Sequence, residues 1–212
     1  MKSFNGEILR YDREARTWNV PVPEMLQAPV MTTASGVVID YLDPSAFEVR
    51  EEDIAYAADN ICRYNGARRV QLLLHFALCA KLARLVPGAP VRHVGLVAMH
   101  DFAETVLGDI VTGLKRLLPE YRALEGGWER RFREHFGYAD PTDEEEAFIR
   151  YIDLRALVVE THCTAHPVAE ITAYRHGGPP SREEADLFGY LLHAGPARQW
   201  EITLDAVRAG AR

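Results

Sequence analysis

The spacing of hydrophobic positions changes character near residue 50. Before it, the first thirty residues mix charge, aromatic side chains and proline and close on Val20-Pro21-Val22-Pro23, which reads as an irregular arm with at most one short strand. Thr32-Thr33-Ala34-Ser35-Gly36 then predicts a turn into an extended Val37-Val38-Ile39, which Asp43-Pro44-Ser45 breaks. From Glu51 the pattern is helical nearly to the end, interrupted at Asn65-Gly66, Pro87-Gly88, Gly126-Gly127 and Gly177-Gly178-Pro179-Pro180. It predicts helices over 51–63, 67–86, 91–106, 112–118, 127–136, 143–164, 181–193 and 196–209. Thr142 ahead of Asp143-Glu144-Glu145-Glu146 marks one start, with acids at the positive helix end. Ser181 with Glu184 forms a capping box at another. The expected fold class is all-α, with a small extended element near the front.

Three of these apolar helices carry polar residues out of pattern. Val70–Ala80 is apolar on nearly every side and belongs in a core, yet contains His75. Taken alone, His75 reads as a core histidine bonded to a carbonyl. In Gly95–Glu104 the pair His100-Asp101 interrupts a second apolar run. Glu104 lies four residues after His100 and three after Asp101, on the same face, and Asp109 follows just beyond Gly108. In the third helix Ile149, Ile152, Ala156 and Leu157 form the buried stripe, and Asp153 falls on it. A carboxylate there needs a cation, and Arg155 and a metal ion are both candidates. Convergence on one divalent ion accounts for all three anomalies together. His75, His100, Asp101 and Asp153 would make a two-nitrogen, two-oxygen set with room for water. Such mixed ligands suit Mn, Fe, Co, Ni or Zn better than calcium, and open positions point to catalysis.

Composition narrows the partners. A chain of 212 residues suggests one domain, or one with an appendage. The net charge of −7, from 31 acidic against 24 basic residues, disfavours a nucleic-acid polymer but leaves room for one phosphorylated small molecule. No uninterrupted apolar run approaches the ~18 residues of a membrane span, so no membrane partner is expected. Met1–Glu7 lacks the apolar core of a secretion signal, and Cys62, Cys79 and Cys163 have no CxxC spacing, which favours reduced thiols in a cytoplasm.

A His, then a His-Asp doublet, then a distant Asp, all on helices, resembles the HD-domain phosphohydrolase superfamily. Met99–Glu104, Leu107-Gly108-Asp109-Ile110 and Leu114–Tyr121 are similar to its 5′-deoxynucleotidase and phage-type branch. So are Gly36, Asp43-Pro44, Glu52–Ala55, Ile61–Gly66 and Asp153–Leu157, although Ala67-Arg68 and Phe76 depart from that pattern. The resemblance spans about residues 32–165. It implies an HD helical core there, preceded by the arm 1–31 and followed by a helical extension, 166–212, packed on the same domain. It further implies hydrolysis of a nucleotide, a purine (deoxy)nucleoside 5′-mono- or triphosphate, with one Co, Mn, Mg, Fe, Ni or Zn ion and a homodimeric protein. By the same resemblance Glu104 is the general acid or base, and Asp109 orients the sugar or the water. Asp109 reads equally as a cap. Arg63 and Lys115 would neutralise phosphate, and Arg68 and Arg69 would help hold a longer phosphate chain. Tyr41, Tyr64 and Trp18 are candidates for base stacking. Two further readings stay open. One is a di-iron oxygenase, for which His135 is the available extra ligand, and the other is a non-catalytic nucleotide-binding protein. His162 and His166, followed by Pro167, read as surface histidines at a helix end.

Overall fold

The computed structural model describes residues 30–211 and, ahead of them, the backbone of Ser3–Phe4 (β1), Glu7–Ile8 (β2), Tyr11–Asp12 (β3) and Thr17–Trp18 (β4). β1 pairs with β2 and β3 with β4, each antiparallel, so the described part of the arm holds two short pairs where one strand was expected. Val20-Pro21-Val22-Pro23 and the side chain of Trp18 lie outside the described residues. Val30–Thr32 (β5) and Val38–Asp40 (β6) form the expected extended element, an antiparallel hairpin with Met31 opposite Ile39.

After this hairpin the described residues form helices and connecting segments, with one antiparallel bridge between Cys62 and Gln71, and the fold is predominantly α. The helices are Glu51–Asn60 (α1), Leu72–Leu85 (α2), Val91–Met99 (α3), Glu104–Leu107 (α4), Thr112–Lys115 (α5), Pro119–His135 (α6), Asp143–Cys163 (α7), Ala169–Arg175 (α8) and Arg182–Gly210 (α9). The predicted capping box at Ser181/Glu184 is present, and the start predicted at Thr142 proves to carry a second one with Glu145. α9 is broken at Gly195 (φ 76°), just before Pro196, where a gap between two helices was expected.

α1 ends three residues short of the expected 63, α2 starts five residues after the expected 67 and α5 ends three short of 118, and three larger differences stand beside these. The segment 91–106 divides, because Phe102, Glu104 and Thr105 bond back to Met99, Asp101 and Phe102, three residues earlier, and this tight turn separates α3 from α4. Gly126-Gly127 does not break the chain but lies inside α6. There the flanking Trp128 and Phe132 are fully buried, Trp128 packs edge-on to Phe47, and a Cβ on Gly127 would meet Pro44 at 3.4 Å. α8 follows the Ala165 turn in a stretch whose mixed pattern predicted no helix.

α2 is buried on nearly every side because no face of it is polar, and α3, α7 and α9 pack around it. Leu191, Ile202, Ala206 and Val207 of α9 belong to the same hydrophobic cluster as Leu74, Leu78 and Leu96. Close approach of α3 to α9 depends on Gly95. The Tyr138 hydroxyl donates to the Val207 carbonyl at 2.6 Å, and a methyl on Gly95 would sit 1.8 Å from that hydroxyl. Among the described residues no helix is long and apolar enough to cross a membrane.

Candidate metal centre

α2, the end of α3 and the middle of α7 meet on one side of this core. Their meeting brings together the four residues singled out by pattern. One ligand atom each from His75, His100, Asp101 and Asp153 lies within 4.8 Å of all the others, so the cluster could hold a metal ion. His75 Nε2 is 3.5 Å from both Asp101 Oδ2 and Asp153 Oδ1. His100 Nε2 is 3.2 Å from Asp101 Oδ2 and 3.7 Å from Asp153 Oδ1. The far nitrogen of each ring is committed elsewhere, His75 Nδ1 to Glu160 at 2.7 Å and His100 Nδ1 to the Val97 carbonyl at 2.7 Å. Both Nε2 atoms therefore face the carboxylates. His100 Nε2 is buried and lacks a well-aligned hydrogen-bond partner, which leaves its lone pair available to a metal ion. The donor set and this orphaned nitrogen fit a divalent ion.

Arg63 is a further partner of these carboxylates. The buried Arg63 guanidinium lies 3.2 Å from Asp101, 3.8 Å from Asp153 and 3.5 Å from Glu160. Although burial opposes charge on both imidazoles and Arg63 opposes it on His75, Cys79, Glu160 and Asp101 raise His75 well above the usual histidine range, and Asp101 and Asp153 do so for His100. In turn His100 and His75 hold the Asp101 carboxyl well below the ordinary carboxylate value, against its burial.

Two cavities flank the cluster, and Asp101 and Asp153 line both. The first, about 330 Å³, also takes in Arg63, Tyr64, Glu104, Asp109 and Lys115. The second, about 280 Å³, opens between α3, α6 and α7. In the first, Lys115 Nζ donates to Glu104 Oε1 at 2.8 Å and to Glu125. Asp109 accepts the backbone N–H of Tyr64 at 2.8 Å, so it caps the turn at 64–66 and not the turn that follows it. That turn is strained, with Tyr64 (φ 61°) and Asn65 (φ 53°) both left-handed.

A chain 32% identical over 130 residues is the uncharacterized protein YfdR of Escherichia coli, with 60% of this chain and 68% of YfdR covered. This chain belongs to the YfdR family. The uncharacterized protein RCAP_rcc00048 of Rhodobacter capsulatus is 35% identical over 86 residues, which are 38% of this chain and 44% of that protein. No family model matches the sequence.

Not every candidate of this YfdR-family chain reaches the site. Arg68 stacks 4.0 Å above the Tyr64 ring, and neither it nor the exposed Arg69 lines either cavity. Arg155 is not the partner of Asp153, because its guanidinium forms two 2.6 Å bonds with Glu184. Tyr64 lines the first cavity and Tyr41 lines neither. His135, His162 and His166 belong to none of the potential ligand groups among the described residues.

Two residues of the site were not read as such from the sequence. Cys79, one helical turn after His75, places its thiol 3.5 Å from Nε2 and completes an overlapping His75–Cys79–His100 group. Glu160, fully buried, accepts from His75 Nδ1 and from the Tyr64 hydroxyl. Its seven-residue spacing from Asp153 was the available signal, since it puts both carboxylates on one helix face. A carboxylate behind a ligand histidine fixes the tautomer and aims the other nitrogen. Glu160→Gln should weaken binding of Mn²⁺ or Co²⁺ roughly 10- to 100-fold. Equilibrium dialysis of folded protein checks this, and an unchanged dissociation constant would show Glu160 to be packing alone.

Proposed function

We propose that this chain is a metal-dependent phosphohydrolase of the HD type that releases phosphate from a nucleotide, a purine (deoxy)nucleoside 5′-mono- or triphosphate. The observation that carries the reading is the convergence of His75, His100, Asp101 and Asp153 from three helices beside a cavity that also holds a buried, half-free Glu104. His75, His100, Asp101 and Asp153 would hold the ion. A bound divalent ion would supply positive charge to phosphoryl oxygens and lower the pKa of a site water toward about 7.

The remaining roles follow from the protein's own contacts. Arg63, pinned by Asp101 and Glu160, adds fixed positive charge at the cavity wall to neutralise phosphate. Lys115 is clamped between Glu104 and Glu125 and holds the Glu104 carboxyl by one oxygen. Glu104 Oε2, buried without a partner, is the atom available to take or give a proton. Asp109 acts on the site through the Tyr64 backbone it anchors.

Phosphate release from a panel of nucleoside mono-, di- and triphosphates, with Mn²⁺ or Co²⁺ added, tests the proposal. Turnover of at least one nucleotide, lost on chelation, is the expected result. Two tightly bound irons with no phosphate release from any nucleotide would replace it with the oxygenase reading.

A further inference from the structure

The second cavity shares His100, Asp101 and Asp153 with the metal centre, and the rest of its lining has no part in the roles above. Its floor is apolar, made by Leu96 and Met99 of α3, both buried, with Ile149 of α7. Two walls rise from it. α6 contributes Glu129 and Arg133, and α7 contributes Glu146 and Arg150, a Glu and an Arg four residues apart on each wall. Arg133 is held by Asp140 at 2.9 Å and Glu129 at 3.4 Å. Arg150 is exposed and forms no ion pair among the described residues. Each wall thus offers one donor and one acceptor, with two arginines matched by two carboxylates on the walls, while Asp101 and Asp153 add two more carboxylates at the edge shared with the metal centre.

Such a lining is poor for a run of phosphates, which would meet Glu129 and Glu146 over an apolar floor. It suits a flat, uncharged ring with hydrogen-bonding edges, which stacks on apolar side chains and satisfies polar rims of both signs. The cationic side chains of the first cavity, Arg63 and Lys115, lie across Asp101 and Asp153 from it.

We propose that the cavity between α3, α6 and α7 is a nucleobase-binding subsite, so that a nucleotide spans the metal centre with its phosphate at Asp101/Asp153 and its base over Leu96, Met99 and Ile149. The assignment rests on the nucleotide reading of the same centre. It makes Ile149 and Arg150 determinants of specificity, remote from the reacting atoms.

The test uses metal-loaded protein and two variants, Ile149→Trp, which fills the half-buried floor, and Arg150→Ala, which changes only an exposed side chain. Substrates are the adenosine, guanosine, cytidine and thymidine 5′-monophosphates, with ribose 5-phosphate as the baseless control. Ile149→Trp should raise KM for the preferred nucleotide about tenfold or more, the scale set by losing a substrate group from its pocket, while kcat/KM for ribose 5-phosphate is unchanged. Arg150→Ala should alter the ranking of the bases. Binding of the unphosphorylated nucleosides, followed by calorimetry, should weaken in both variants. Equal losses for nucleotide and ribose 5-phosphate, or unaltered nucleoside binding, would overturn the proposal. An Arg150→Ala defect confined to triphosphates would do so too, by assigning the cavity to a phosphate tail. If wild-type protein releases phosphate from nothing, the phosphohydrolase reading fails, and the nucleoside-binding measurements still decide the subsite.

Discussion

Asp101→Asn is expected to lose stoichiometric Mn²⁺ or Co²⁺ and, with it, phosphate release down to the background rate. The substitution keeps the side chain's volume and removes its charge, and the charge is what the cluster is built around. In the metal-free protein three carboxylates, Asp101, Asp153 and Glu160, face Arg63 and two histidines whose pKa values are raised. With both imidazoles protonated the cluster is neutral. A divalent ion requires them neutral, and its two charges then replace those of the two protons. Wild-type protein should therefore release about two protons per ion bound near neutral pH, and its affinity should fall steeply on acidification. Calorimetry in buffers of different ionisation enthalpy counts those protons. In Asp101→Asn the balance is one negative charge short, Arg63 loses a close partner, and the ion loses one ligand oxygen and half of the net negative charge that attracts it. Aspartate is thus preferable to histidine as the position to test, because the variant keeps both imidazole rings in place. Retention of a full equivalent of metal by Asp101→Asn would remove the cluster from the mechanism.

What could be read in the chain, and what could not, divides along one physical line. A polar residue in an apolar helical stripe is costly unless partnered, so His75, the His100-Asp101 pair and Asp153 stood out by periodicity, and the structure brings these four together. Helix existence, the start at Thr142 and the capping box at Ser181/Glu184 were legible for a related reason, since they depend on near neighbours. Glu160 was not, because it follows Ala156–Val159 near a helix end and its partners Tyr64 and His75 are 96 and 85 residues away. The fate of Arg155 was equally hidden, because its choice of Glu184 over Asp153 depends on where α9 begins relative to α7. Gly126-Gly127 misled because glycine pairs usually signal a turn. Here the tertiary anchors Trp128 and Phe132 keep the helix running past them. Arg68 and Arg69 adjoin the right turn, and the direction each side chain takes from it is set by the left-handed backbone at Tyr64 and Asn65.

Glu104→Gln should lower kcat by about 10²- to 10⁴-fold, the usual worth of a general acid or base, and leave the metal content unchanged. Gln keeps the shape and can still accept from Lys115, so the loss would report the carboxyl's proton and not its packing. The wild-type carboxyl has one oxygen on Lys115 and the other buried with no partner. Burial and, next, the Asp101 charge push it up to about 8 in the metal-free protein, against the pull of Lys115. This has a signature independent of turnover. Between the unfolded value near 4.5 and the folded value near 8, the native state holds a proton that the unfolded state has lost. Stability must therefore fall as pH rises through that window. His75 and His100, also raised on folding, add a loss of the same sign as pH rises above the unfolded histidine value. The difference between wild type and Glu104→Gln isolates the carboxyl. Thermal melts of metal-free protein from pH 5 to pH 8.5 should show the wild type losing stability more steeply than the variant. Parallel curves, or a variant that turns over nucleotide at the wild-type rate, would exclude Glu104 as the proton-transferring group and leave the Lys115–Glu125 pair without a catalytic side chain to position.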